Sequence, residues 1–214
     1  MFAGSSSLND EIMEGVMLSA TVQELTAPTN AALKALWCTL AGTALFFVFF
    51  AWVIIAYGPQ DMVQFFQGVP LILAIAVGTV AASLSILLGL YFHSEAGLRS
   101  LLQSTPSTVE LSRDPYGRLN IKSMRQLQRL DLGELRLVAL RTPYFRILMI
   151  RLVLAELVAV AGLVVAIGSG QGALTIPFSA AALVVMLFAW PRLTDLLIRG
   201  QLLLVDGELL PEAC

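Results

Sequence analysis

Four long apolar stretches separated by polar segments dominate the pattern of this chain. They are residues 36–57, 69–92, 144–168 and approximately 176–197. Each is close to the roughly 20 residues that an α-helix needs to cross a hydrocarbon core, at a rise of about 1.5 Å per residue. The pattern therefore predicts an all-α membrane protein with four transmembrane helices. The third helix, with a carboxylate near its middle, is predicted to be the one around which the others pack.

Polar segments flank and join these spans. Residues 1–30 are acidic and have apolar residues at helical spacing, which predicts an amphipathic helix that Pro28 and Asn30 end before the first span. The predicted domains are residues 1–30, the first transmembrane hairpin 31–93, a loop 94–143, the second hairpin 144–200 and a tail 201–214.

The loop 94–143 predicts a small cytoplasmic α/β element between the second and third spans. Its residues 108–122, TVELSRDPYGRLNIK, alternate apolar and polar positions around Pro115 and Gly117, which is typical of a β-hairpin with a type I turn. The following leucines lie at helical spacing, with Gly133 as the predicted break, and predict an amphipathic helix on the membrane face. The tail LLLVDGELLPEAC predicts a second small hairpin.

Composition supports a membrane protein and excludes several classes. Only 13% of residues are charged and 57% are hydrophobic, whereas about a quarter of a soluble domain is charged. Cys38 and Cys214 form no disulfide or metal pattern. No basic run carries interleaved aromatics, so no nucleic-acid partner is expected. The first 15 residues lack the basic and apolar regions of a signal peptide, so we expect the chain to insert through its own helices.

The distribution of basic residues predicts the topology. All 13 Lys and Arg residues lie before the first span, between the second and third spans together with the start of the third helix, or at the end of the fourth span and after it, where Arg192 and Arg199 lie. The loops after the first and third spans contain none. By the positive-inside rule, both termini and the 94–143 loop are cytoplasmic, and we expect a multi-pass protein of a bacterial inner membrane.

The third span contains the candidate intramembrane polar site, Glu156 and Arg151. A carboxyl group in apolar surroundings favours its protonated form, and such residues usually face protein or water instead of lipid. Arg151 lies about 140° around the helix from Glu156, and its long side chain can snorkel to the cytoplasmic interface. Glu156 is then either a structural pin, the favoured reading, or a proton- or cation-coupling group. Its predicted partners are hydroxyls on other helices: Thr39 or Thr43, Thr79, Ser83 or Ser85, and Ser179.

Residues 152–167, LVLAELVAVAGLVVAI, resemble the carboxylate helix of the rotary-ATPase proteolipid family. The resemblance covers 16 of the 214 residues and implies that Glu156 binds an ion and that Gly162 is a close-packing position. The glycine-repeat partner helix of that family is absent here, and the long cytoplasmic loop has no counterpart in it. The arginine-flanked LAE helix that opens the final hairpin is also similar to that of small uncharacterised four-span bacterial membrane proteins.

His93, the single histidine, ends the second span. Histidine can ligate haem or a chlorophyll magnesium, but at an interface it is more often an amphipathic anchor, so no cofactor is expected. The sequence offers no catalytic set, and we predict no enzyme. The best functional class is a non-catalytic subunit or assembly factor of a larger membrane complex, whose partners are the lipid bilayer and other membrane subunits or further copies of the chain. The alternative is an ion-coupled transporter or stator-like component that uses Glu156.

Overall fold

A computed structural model describes residues 18–58, 71–103, 111 and 121–205, and every regular element in these ranges is helical. The helices are α1 (Ala20–Tyr57), α2 (Leu71–His93), α3 (Glu95–Leu102), α4 (Ile121–Leu127), α5 (Leu132–Ala139), α6 (Arg141–Ser169), α7 (Thr175–Phe188) and α8 (Leu193–Val205), with a 3₁₀ turn at Gly172–Leu174 before α7. Among the described residues, four helical stretches are long and apolar enough to cross a membrane. The prediction of an all-α, four-span, multi-pass membrane protein is confirmed at this level.

The predicted α/β element is wrong wherever the structure describes it. Leu111, expected in the first strand, is helical, and Ile121, expected in the second, begins α4. The rest of that hairpin lies outside the described residues. In the tail, Val205 ends α8, so the first residues of the second predicted hairpin are helical as well. The apolar–polar alternation of these short segments predicts strands, but leucine-rich segments of this length also suit a helix that packs on a neighbour.

The predicted break at Pro28 and Asn30 is also wrong, because α1 continues through both residues over its 38 residues. Proline inside a helix costs about 3 kcal/mol through the lost backbone hydrogen bond and the ring clash. Val22 and Leu25, in the turns before it, are 1% and 6% exposed. Burial of two such side chains contributes about 3–6 kcal/mol, which offsets the proline.

The described residues divide into two compact units, which we call the span unit and the end unit. The span unit contains the described parts of residues 32–92 and 146–191, and the end unit contains the remainder. In the span unit, α6 is the most enclosed element: 56% of its apolar stretch is buried, against 22% for α1 and for α2. This greater burial of α6 agrees with the prediction that the other helices pack around the third span.

A stripe of mostly small residues on α2 packs inward. Its buried residues are Ala74, Gly78, Ala81, Ser85, Gly89 and Phe92. The opposite face carries exposed aliphatic side chains such as Ile72 and Leu87. Small side chains let helix backbones approach closely in a membrane, so this stripe is the face that α2 presents to the other helices of the span unit.

In the end unit, leucines form the core among the short helices. A Cβ at Gly200 of α8 would lie 2.9 Å from Leu137 of α5 and 3.9 Å from Leu102 of α3, so α8 fits closely against both helices. Asp131 and Glu134 form a capping box that starts α5. The break therefore falls before Asp131 and not at Gly133 as predicted, because the cap satisfies the first free backbone donors at that point.

Candidate intramembrane polar site

Glu156 of α6 contacts α1 through a single short hydrogen bond. Thr43 Oγ1 lies 2.6 Å from Glu156 Oε1, and the same hydroxyl lies 2.7 Å from the carbonyl oxygen of Leu40. Thr43 was among the hydroxyls that the sequence predicted as partners, and this prediction is confirmed. Thr39, its alternative on the same helix, donates instead to Ala35 O at 3.0 Å.

Two buried oxygens near the middle of the span unit have no hydrogen-bond partner among the described residues. One is Glu156 Oε2, and the other is Ser179 Oγ of α7, whose residue is 2% exposed. Unpaired polar atoms in apolar surroundings cost free energy and are expected to be few. Ser179 was a predicted partner of Glu156, but the two side chains do not bond in this structure.

Arg151 joins three helices by hydrogen bonds to backbone carbonyls. Its Nε donates to Ser85 O of α2 at 3.0 Å, and its Nη2 donates to Phe188 O of α7 at 2.9 Å. The Ser85 hydroxyl in turn donates to Arg151 O at 3.1 Å. Phe188 is the last residue of α7, where carbonyls lack helical partners and the helix dipole is negative. A guanidinium group is therefore well matched to this end of α7.

Gly89 makes the Arg151 geometry possible. A Cβ at position 89 would lie 2.5 Å from Arg151 Cζ, 2.6 Å from Nη2 and 2.9 Å from Nε. The guanidinium group therefore lies against the backbone of α2 in the space that a side chain at position 89 would fill. Any larger residue there would push the guanidinium group off the two carbonyls.

Contrary to the sequence-based expectation, Arg151 does not snorkel to the interface. Its residue is only 6% exposed, because the guanidinium group bonds inside the bundle and does not reach toward water. Its hydrogen bonds to Ser85 and Phe188 satisfy it where it lies, which removes the reason to snorkel. Arg151 and Glu156 share α6 but point to different neighbours: Arg151 to α2 and α7, Glu156 to α1. The predicted polar site is thus two separate sets of interhelical hydrogen bonds, one made by Glu156 and one made by Arg151.

His93 is half-buried at the end of α2, directly before Ser94, which caps α3 by accepting a hydrogen bond from Gly97 N at 3.1 Å. Its assignment as an interfacial anchor stays a prediction, as does the expectation of no cofactor. Within residues 18–58, 71–103, 111 and 121–205, no three His, Cys, Asp or Glu side chains are grouped as metal ligands would be.

The sequence analysis missed two interhelical contacts that involve tryptophan. Trp37 donates from Nε1 to Met186 O of α7 at 2.7 Å and packs edge-on against Trp190 at a centroid distance of 4.7 Å. Trp52 lies over Gly172, where a Cβ would approach its ring to 3.1 Å. The sequence feature that could have indicated the Trp52 contact is the uncharged loop before the fourth span, because its glycines leave room for an aromatic ring.

The fold and the polar site define a four-span helical membrane protein whose buried polar side chains join neighbouring helices. No family model matches the chain, and neither a curated protein nor a solved structure is significantly similar to it.

Proposed function

We propose that this chain is a non-catalytic integral subunit or assembly factor of a larger membrane protein complex. The observation that carries the proposal is the surroundings of Gly42, on the outward face of α1. In the described part of the chain, no heavy atom other than those of the adjoining backbone of α1 and of its two chain neighbours lies within 4 Å of the position that a Cβ would take at this residue. Glycine in a helix costs about 1 kcal/mol relative to alanine, so it is expected where close packing requires it.

Four other glycines of the span unit have such packing. A Cβ would meet Phe178 at Gly162, the Arg151 guanidinium group at Gly89, Trp52 at Gly172, and Val158 at 3.6 Å at Gly78. Gly42 differs from all four, because the neighbour that would explain a glycine is missing from the described chain. A helix of another subunit supplies that neighbour in our proposal.

The surface around Gly42 has the form of a helix-docking site. Cys38, one turn earlier, is exposed, and Leu45 and Phe49, on the same face in the following turns, are 59% and 64% exposed. Phe46 stacks on Phe50 at a centroid distance of 5.6 Å. A second transmembrane helix can therefore approach α1 closely at Cys38 and Gly42, where the side chains are small. In the following turns it can pack against the phenylalanine rings.

Replacing Gly42 with leucine is expected to dissociate the complex without unfolding the chain, since the new side chain enters open space. Native mass spectrometry of the untagged protein, extracted from its own membranes in mild detergent, measures this. Wild type should appear in an assembly larger than its own 23.1 kDa, and a bismaleimide should cross-link Cys38 to a neighbour. Leu87→Phe, on the exposed face of α2, is the matched control and should keep the assembly. A Gly42→Leu protein that still co-purifies with the same partners would contradict the proposal.

One observation favours the alternative, an ion-coupled component that works through Glu156. Both Glu156 Oε2 and Ser179 Oγ are buried and unpaired in the described chain, and intramembrane polar groups of this kind are often functional. Proton or cation flux in liposomes that contain only this chain would favour this alternative over the subunit role.

The proposed orientation has both termini in the cytoplasm of a bacterial inner membrane, supported by the distribution of the 13 basic residues. In a background that lacks Cys38 and Cys214, a cysteine replacing Ser169 should react with an impermeant maleimide from the periplasm. A cysteine replacing Ser112 should react only after permeabilisation. The opposite labelling pattern would reverse the proposed orientation.

A further inference from the structure

The hydroxyl of Thr43 lies within hydrogen-bond distance of two oxygens but carries one hydrogen. Leu40 O, at 2.7 Å, is a carbonyl and can only accept. Glu156 Oε1, at 2.6 Å, is an acceptor when the carboxyl is ionised and a donor when it is protonated. The two contacts together therefore depend on the protonation state of Glu156.

If Glu156 were ionised, the single hydrogen of the Thr43 hydroxyl would have to serve both oxygens. A shared hydrogen makes two weaker and poorly aligned bonds, whereas 2.6 and 2.7 Å are the distances of two full O–H···O bonds. If Glu156 is protonated, both contacts are satisfied: the carboxyl donates to Thr43 Oγ1, and Thr43 donates to Leu40 O. The neutral form also suits Glu156 Oε2, which has no donor among the described residues, since an unpaired neutral oxygen is less costly in a membrane than a charged one.

The charged and titratable groups of the surrounding helices do not favour an ionised Glu156. Helix α7 contains no titratable residue, and α2 has only Tyr91 and His93, both in its last turn. On α1 the titratable residues are Glu24, Lys34, Cys38 and Tyr57, each more than one helical turn from Thr43. On α6 itself, Arg151 donates to Ser85 O and Phe188 O and lies about 140° around the helix.

We infer that Glu156 and Thr43 form a proton-binding site, whose ligand is one proton on Glu156 Oε1. The bound proton completes a hydrogen-bonded chain from the α6 carboxyl through the Thr43 hydroxyl to the Leu40 carbonyl. Loss of the proton leaves Thr43 with one hydrogen for two acceptors, and the hydrogen bonding between α1 and α6 is weakened. This site is separate from the Gly42 surface and goes beyond the proposed role as a subunit.

The test compares wild type with Glu156→Gln, whose amide can donate to Thr43 at any pH. Unfolding in SDS mixed micelles is measured as a function of pH for both proteins, with Thr43→Ser as the matched control that keeps the hydroxyl. Because the folded wild type holds a proton that the unfolded chain releases, its folding equilibrium constant relative to Glu156→Gln should fall as pH rises, by up to about tenfold per pH unit. Thr43→Ser should follow wild type. Groups elsewhere titrate in both proteins and cancel in the comparison.

Infrared spectroscopy supplies a second readout that does not depend on unfolding. Wild type at neutral pH should show a protonated-carboxyl C=O band that is absent in Glu156→Gln and shifted in Thr43→Val, which removes the acceptor of the proton. Parallel pH curves for wild type and Glu156→Gln, or a spectrum without a band sensitive to Glu156→Gln, would overturn the inference.

Discussion

Replacing Gly162 with alanine is expected to destabilise the protein by about 1–3 kcal/mol or more, the usual cost of forcing atoms into a packed core. The new Cβ would overlap Phe178 Cβ and lie 2.7 Å from Phe178 Cγ. These atoms are near the backbone of α7 and cannot rotate away, so the two helices must separate. The free energy of unfolding in SDS mixed micelles measures the loss.

Gly78→Ala is the matched control for this prediction. Its Cβ would contact the far side of the same ring at 3.8 Å from Phe178 Cε1, and Val158 Cγ1 at 3.6 Å, which are ordinary van der Waals distances. We expect this variant to be as stable as wild type or slightly more stable, because alanine favours the helix. Equal destabilisation by the two substitutions would show that Gly162 is not in tight contact with α7.

The second large effect is expected at Gly89, where alanine would displace the Arg151 guanidinium group from Ser85 O and Phe188 O. We expect a loss of roughly 1 to 3 kcal/mol, a range that covers an interhelical hydrogen bond in a membrane and a bond from a charged donor. The same unfolding measurement, made on a double-mutant cycle with Arg151→Ala, isolates this effect.

In the Arg151→Ala background, Gly89→Ala should cost nothing, because the space is empty and alanine is the better helix former. Gly42→Ala, where a Cβ meets no described atom within 4 Å, is the control for the general effect of glycine replacement on the isolated chain. Additive losses from Gly89→Ala and Arg151→Ala would mean that the guanidinium group does not occupy the Gly89 space.

The long-range hydropathy pattern predicted the spans well, because crossing a bilayer imposes a length and an apolar composition on each helix. The ends of α2 and α6 lie within three residues of the predicted limits. The predicted fourth span, 176–197, is instead divided between α7, which ends at Phe188, and α8, which begins at Leu193. The short polar segments were harder. Whether Leu111 or Ile121 is in a strand or a helix depends on what packs against it, which local alternation does not encode.

The candidate site was predictable in its residues but not in its pairings. A lone glutamate in an apolar helix requires a hydroxyl or water, so Thr43 could be named among a few alternatives. The Arg151 contacts could not be predicted, because its acceptors are backbone carbonyls, and every residue has one. A carbonyl can accept from Arg151 only if it lacks a helical partner or lies within reach of the guanidinium group. These conditions depend on the end of α7 at Phe188 and on the space beside Gly89, which are features of the tertiary structure.

The partners of the polar residues in α6 have a consequence for how the protein is made. Thr43 precedes Glu156 by 113 residues, and Ser85 precedes Arg151 by 66 residues. Since the N-terminal part of a chain emerges first during synthesis, α1 and α2 leave the ribosome before α6. The two costly side chains of α6 thus enter a bilayer in which Thr43 and Ser85 are already present, whereas Phe188, which also accepts a hydrogen bond from Arg151, follows 37 residues later.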